Sequence, residues 1–210
     1  MQLSSLSRVL DNAKVYETFH HIFSGEKTIQ LKRFLDAKAG DVPLKVLDLG
    51  CGPGTSAGLF LDRQRYDYLG VDINPSYIAR ASRRFPLRFV CSDIAELSAI
   101  GETYDLILIN SVFHHLTDEQ AHHVLGAARA LTSANGECVV LDMVRPERFT
   151  WATAIQTLLI HMDRGKFCRS ISTLHDLIES HFRIAGVKSF TVRSFGGLTL
   201  WDLRLFVCSS

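Results

Sequence analysis

The chain is short of most features that mark secreted, membrane-spanning or nucleic-acid-coating proteins. Its 23 Lys and Arg against 22 Asp and Glu leave a net charge of +1, so no bulk field draws polyanions or a membrane surface. The five cysteines, at positions 51, 91, 138, 168 and 208, are odd in number and form no C-x-x-C pair. That argues against a structural zinc site or a disulfide framework and predicts reduced thiols in a cytosol-like, cytoplasmic setting, with no metal centre. No apolar run approaches the ~20 residues needed to cross a bilayer, and the first residues lack the apolar core of a secretory signal. Internal repeats and low-complexity tracts are likewise missing.

What is present is enough apolar residue, 47% of 210, for one domain with a substantial core. Residues 3–39 read as helical with a break near Ser24-Gly25. Val15, Phe19, Ile22 and Phe23 share one face of the first segment; Ile29, Leu31, Phe34 and Leu35 mark the second, which is expected to end at Gly40. This helical cap (1–40) precedes the first strand and can lie across the sheet or over its ligand edge, where Tyr16 and Phe19 would either touch a ligand or pack.

Val46, Leu47 and Leu49 then read as a short buried strand that breaks into Gly50-Cys51-Gly52-Pro53-Gly54. A strand that stops in such a turn and resumes as a helix, here expected over 55–61, lets a ligand approach bare backbone. Thr55 stands where the dinucleotide fingerprint G-x-G-x-x-G requires its third glycine. A second strand over 68–73 carries Asp72 at its end. Asn74-Pro75 caps a helix that stops at Pro86. Third and fourth strands follow over 87–91 and 104–110, the latter almost wholly apolar, as a central parallel strand should be. Asp105 in that strand is expected to be structural. Thr117-Asp118-Glu119-Gln120 forms a capping box ahead of the stripe Ala121, Val124, Leu125, Ala128 and Leu131, and Asn135-Gly136 turns the chain into a fifth strand over 137–142.

Strands alternating with helices predict a doubly wound α/β domain whose seven-stranded, mostly parallel sheet binds ligand at its strand carboxyl ends. The glycine turn, Asp72, Asp93 and Asn110 all fall at that edge. Residues 143–186 break the alternation with an apolar helix (Trp151, Ile155, Leu158, Leu159, Met162), a charged turn and another helix from about Ser172. Residues 187–208 close the chain as two antiparallel strands around Gly196-Gly197.

The stretch Val46-Leu47-Asp48-Leu49-Gly50-Cys51-Gly52-Pro53-Gly54, followed by Gly70-Val71-Asp72, Ser92-Asp93-Ile94 and Asn110-Ser111-Val112-Phe113-His114-His115-Leu116, resembles the class I S-adenosylmethionine-dependent methyltransferases. The likeness covers 45–142 strongly and the rest in topology, including the antiparallel tail. It implies one domain: a cofactor-binding core (45–142), a substrate-lid insert (143–186) and a terminal strand pair (187–208). By that resemblance Asp48 anchors the turn and reaches the ligand amine, and Gly50, Gly52 and Gly54 let backbone lie against the methionine portion. Asp72 accepts both ribose hydroxyls, and Ile73 packs on the adenine. Asp93 and the Ile94 backbone meet the adenine edge, and the Asn110 carbonyl meets the methionine ammonium. Cys51 is expected to be tolerated there as a small residue.

His114 and His115 stand where this fold places its acceptor, with His115 the candidate base or contact. From Arg145 to Arg169 the insert carries five bases (Arg145, Arg148, Arg164, Lys166, Arg169) against Glu147 and Asp163, which suits an acidic or lipid-like small molecule as acceptor. Asn110-Ser111-Val112-Phe113 lacks the paired prolines of nucleobase-methylating relatives, and with the neutral charge this speaks against a nucleic-acid substrate. The alternative is a non-catalytic S-adenosylmethionine-binding partner or regulatory protein. Thr55 and the antiparallel tail disfavour an NAD-dependent oxidoreductase.

Overall fold

The computed structural model describes residues 25–38, 40–97, 101–147, 153, 156, 157, 160, 166–193 and 199–209. Of the sequence-based expectations, the first cap helix with Tyr16 and Phe19, Arg148, the residues Trp151, Ile155, Leu158, Leu159 and Met162 of the apolar helix, the first part (163–165) of the charged turn with Arg164, and the Gly196-Gly197 turn lie outside these residues.

The sheet is laid down by β1 (Leu44–Leu49), β2 (Tyr66–Asp72), β3 (Arg88–Cys91), β4 (Tyr104–Asn110), β5 (Thr132–Val144), β6 (Arg183–Arg193) and β7 (Thr199–Ser209). Their order across the sheet is β3-β2-β1-β4-β5-β7-β6. β1 pairs in parallel with both β2 and β4, and β7 runs antiparallel to β5 and β6. Strand order therefore reverses between β1 and β4, and the carboxyl ends of β1 to β5 share one edge, the arrangement that opens a ligand crevice.

Alternation along the central strands divides the apolar residues between two faces. Leu47, Leu49, Ile107, Ile109, Cys138 and Val140 go to one core, packed beneath α4 (Asp118–Leu131) and α5 (Ile171–Glu179), with α1 (Gly25–Asp36), α2 (Pro75–Arg84) and α3 (Ile94–Leu97) coming earlier in the chain. Val46, Leu106, Leu108, Val139 and Leu141 go to the other, with Leu31, Phe34 and Leu35 of α1, Phe60, Ile160 and Trp201. Ile29 of α1 is exposed, and the helix ends at Asp36 rather than running on towards Gly40.

Several helix signals hold to the residue. Asn74 caps α2 by accepting from Ser76 N with Pro75 in the first turn, and Thr117 and Gln120 close both halves of the capping box on α4. The helix expected over 55–61 shrinks to a one-turn 3₁₀ helix at Ala57–Phe60. Its preceding Ser56 offers no side-chain cap, and its hydroxyl accepts from Asn110 Nδ2 at 2.7 Å. β5 starts at Thr132, earlier than expected. Asn135-Gly136 sits in an irregular stretch where the pairing with β4 jumps from Tyr104–Thr132 to Leu106–Glu137. Asp105 is structural as expected, its Oδ2 accepting from Lys45 N at 3.0 Å.

Where α4 meets the end of α5, Nδ1 of His122 and Nε2 of His181 lie 2.9 Å apart, so one must donate and the other accept. Burial, and then the neighbouring His122, hold His181 below the ordinary histidine value. A histidine depressed in the folded state binds its proton more readily when unfolded, so stability is complete above the unfolded value of ~6.5 and declines as pH falls through and below it. His181→Gln is expected to lose less melting temperature than wild type between about pH 7.5 and about pH 5.5, as read by differential scanning calorimetry.

Candidate functional site

The turn after β1 owes its shape to backbone conformations that favour glycine. Gly50 and Gly52 have φ of 74° and 56°, in the left-handed region. A Cβ on Gly50 would sit 2.6 Å from Val112 Cγ2, whereas one on Gly52 would meet nothing nearer than Thr55 Oγ1 at 4.0 Å. Gly50 is thus required by packing, and Gly52 lines open space. Gly54 is buried against the Phe85 ring.

The turn is held from the neighbouring strand. Asp72, at the end of β2, accepts from Gly52 N through Oδ2 at 2.9 Å and from Asn74 N through Oδ1 at 2.8 Å. Its carboxylate is half-buried and has lone pairs beyond the two that these bonds occupy. Asp48 lies inside the sheet at 1% exposure and accepts from the Tyr68 hydroxyl at 2.8 Å. Burial, and next the Asp48 charge, push that hydroxyl well above its ordinary value, so Tyr68 remains a donor. Cys51 is also buried. Desolvation first, then Asp48 and Asp72, raise its thiol far out of the reactive range, which removes it as a nucleophile.

Along the same edge Ile73 is 69% exposed, a large apolar side chain left in solvent beside the Asp72 carboxylate. Asp93 is exposed just past β3, and Ile94 opens α3 half-buried against the core. Ser92 N donates to Asp72 O at 3.2 Å, tying the end of β3 to that of β2. Asn110 ends β4, its Nδ2 donating to Ser56 Oγ and its Oδ1 accepting from Ser111 Oγ at 3.3 Å. Asp48, the three glycines, Asp72, Ile73, Asp93, Ile94 and Asn110 therefore all lie at the carboxyl ends of β1 to β4.

The residues read as acceptor-facing separate into two groups. His115 is exposed on the one-turn 3₁₀ helix Phe113–His115 after β4, its ring centroid 3.9 Å from that of His114. His114 itself is 2% exposed, with Nδ1 at 2.5 Å from Asp142 Oδ1, so that nitrogen is committed to Asp142 and the ring is not the exposed acceptor contact expected from the sequence. Asp142, absent from the expected site, also accepts from the backbone N–H of Phe113, His114 and Met143. Burial alone would raise its carboxyl; attraction to His114, the hydrogen bond with it and the N–H groups of Met143 and Phe113 overcome that and hold it below the usual value. In the sequence its only mark is a carboxylate ending a buried apolar strand.

Arg169 is corrected in the same way. It is 7% exposed, and its five N–H groups are all used: Nε and Nη2 donate to Asp118 Oδ1 at 2.9 and 2.6 Å, Nη1 to Phe113 O and Phe167 O at 2.8 and 3.3 Å, and Nη2 also to Leu116 O at 2.9 Å. Nothing is left for an acceptor. Arg145 is exposed where β5 ends, its backbone N–H donating to Arg169 O at 2.8 Å, and Lys166 and Phe167 are exposed on the returning segment. Phe167 N donates to His114 O at 3.1 Å, which sets that segment against the turn carrying His115.

Residues 46–136 match the family model of a methyltransferase domain. Over 124 residues the chain is 34% identical to the trans-aconitate 2-methyltransferase of Methylobacterium nodulans, an alignment covering 58% of this chain and 46% of that protein. It is 33% identical over 112 residues to the malonyl-[acyl-carrier protein] O-methyltransferase of Acetivibrio thermocellus, covering 51% and 38%. The chain thus spans less than half the length of these curated relatives. Among solved structures, magnesium protoporphyrin IX methyltransferase of Synechocystis PCC 6803 with bound S-adenosylmethionine shares the fold: TM-score 0.65 at 16% identity, over 100% of this chain and 98% of that one. Sequence match and strand order agree: over residues 46–136 the chain is similar to a methyltransferase domain, and its sheet has the fold of the S-adenosylmethionine-binding structure.

Proposed function

We propose that the chain transfers a methyl group from S-adenosylmethionine to a small acidic molecule. The observation that carries this reading is the open space on the Cβ side of Gly52, directly beside the half-buried Asp72 carboxylate. A flat, bare backbone next to a carboxylate suits a ligand with ribose hydroxyls and an amino-acid end and no phosphate to cradle. Asp72 would hold the ribose, Ile73 the adenine face, Asp93 and Ile94 the adenine edge, and the Asn110 carbonyl the ammonium. Asp48 stays an anchor for the turn. S-adenosylmethionine supplies, when bound, an electrophilic methyl on a sulfonium.

Support for an acidic acceptor comes from two sides. Arg145 and Lys166 are exposed on the segments that meet the His115 turn, with Phe167 offering an apolar surface next to Lys166. The relatives named for trans-aconitate and malonyl substrates take acceptors that carry carboxylates. Arg145 would meet such a group. A carboxylate is already ionised at neutral pH, so no proton has to leave it. The protein's task is then to hold the acceptor oxygen in line and exclude water, and His115 serves as a contact rather than a base. Among the described residues no helix is long and apolar enough to cross a membrane, which fits a dissolved acceptor.

Calorimetry with S-adenosylmethionine, S-adenosylhomocysteine and NAD separates the ligand classes: the first two are expected to bind, and binding of NAD alone would end this reading. Mass spectrometry of trans-aconitate and of a metabolite extract, each incubated with methyl-labelled cofactor, tests transfer; binding without any labelled product would leave a cofactor-binding partner protein. Asp72→Ala is expected to weaken S-adenosylmethionine at least about tenfold while the protein stays folded. Gly50→Ala should lower the melting temperature by several degrees, since left-handed strain of ~1–2 kcal/mol joins a steric clash. Gly52→Ala carries the left-handed strain without the clash, so it should lower the melting temperature less than Gly50→Ala and in addition weaken cofactor affinity, because its Cβ would enter open space.

A further inference from the structure

We propose that Arg169 is the positioning residue for His115, and that it does this by gripping the post-β4 turn from the side opposite Asp142. This rests on the reading that the turn forms the acceptor wall. The one-turn helix Phe113–His115 has little of its own to hold it: His115 N donates to Val112 O and Leu116 N to Phe113 O, each at 3.1 Å. A turn this short leaves its first N–H groups and last carbonyls without partners inside the helix. Here opposite charges hold its N–H groups and its carbonyls, Phe113 O taking the guanidinium in addition to its bond from Leu116 N, and Leu116 O lying just past the helix. The Asp142 carboxylate takes the N–H groups of Phe113 and His114, and the Arg169 guanidinium takes the carbonyls of Phe113 and Leu116. His115, between them in sequence, is left exposed.

The guanidinium is itself aimed by Asp118, which receives both Nε and Nη2 on a single oxygen from the first turn of α4. Its main chain ties in the other two segments at this edge. Arg169 O accepts from Arg145 N, fixing the exit of β5, and Nη1 reaches Phe167 O while Phe167 N donates to His114 O. The exposed side chains Arg145, Phe167 and His115 thus stand on three segments that converge on one buried cation. Only a planar fork with five donors can join a carboxylate and three carbonyls at once; an ammonium at the same place has three donors and no plane. The insert that follows β5 therefore acts on the acceptor side through its returning end, where a buried arginine sets where His115 stands.

The test uses the full chain with Arg169→Lys and Asp118→Ala. Hydrogen exchange is read by mass spectrometry, the His115 ring signals by nitrogen-15 NMR, and S-adenosylhomocysteine affinity by calorimetry. For Arg169→Lys, amides across 113–118 are expected to exchange about tenfold faster or more, while those of β1 and β4 keep their rates. The His115 ring signals shift and broaden, and S-adenosylhomocysteine affinity stays within about threefold of wild type. Asp118→Ala, at a residue 77% exposed and so removable without loss of the core, changes the same amides in the same direction by less. Unchanged exchange at 113–118 and unchanged His115 signals in Asp118→Ala and Arg169→Lys would overturn the proposal. So would acceleration spread evenly over β1, β4 and β5, which marks a purely structural arginine. Should Arg169→Lys fail to fold, Asp118→Ala alone decides. A wild-type chain that does not bind S-adenosylhomocysteine would sink the methyl-transfer reading and leave the exchange result to decide the grip.

Discussion

The hydrogen bond from Gly52 N to Asp72 is the contact around which the carboxyl-end edge of the sheet is arranged. A parallel strand delivers its last side chain beside the turn that leaves its neighbour, and β2 does this for β1 with a carboxylate. The turn can accept it because Gly50 and Gly52 adopt left-handed backbone, which brings an amide N–H round to the carboxylate. The same relation recurs across the switch point, where Asp142 at the end of β5 takes the amides that open the turn after β4. In both places an anion at one strand end orders the irregular chain beyond the next. Two strand-end carboxylates thus place the segments that a ligand would touch.

Burial decides what each of these polar groups can do. Asp48, Cys51, His114 and Asp142 lie almost wholly inside the protein, and each is bound to structure or held in its uncharged form by desolvation. Asp72, Asp93 and His115 stand at or near the surface of the same edge and keep access to solvent. The division follows strand alternation and depth. Asp48 and Asp142 are preceded by strand residues that point into a core, and Asp93 and His115 come after the strand has ended. Residue type alone cannot make that separation: His114 and His115 are neighbours of identical chemistry, one sealed against a carboxylate and one exposed.

The α/β alternation, the glycine turn, the carboxylate ending the second strand and the capping box on α4 were legible because each depends on neighbours within about one turn or one strand. Periodicity, capping and left-handed glycine are local physics. The errors arose where partners are distant in the chain. The helix expected over 55–61 lost most of its length where Ser56 bonds Asn110, 54 residues on. Arg169 looked like an acceptor ligand because it follows a basic stretch, yet its carboxylate partner lies 51 residues earlier on α4. Asp142 drew no attention because nothing in its own segment shows that a histidine 28 residues before it will turn inward.

By itself, then, the sequence determined the fold class, the order of strands and helices along the chain and the edge at which the polar strand-end residues gather, since a parallel α/β sheet must present its strand ends together. Tertiary structure decided which charges remain available. Of the basic residues grouped between Arg145 and Arg169, the fold buries Arg169 under the post-β4 turn and leaves Arg145 and Lys166 in solvent. The reason is physical: a buried guanidinium persists only where every donor finds an acceptor, and the carbonyls and carboxylate that satisfy Arg169 come together only when the turn after β4, the start of α4 and the returning insert have packed.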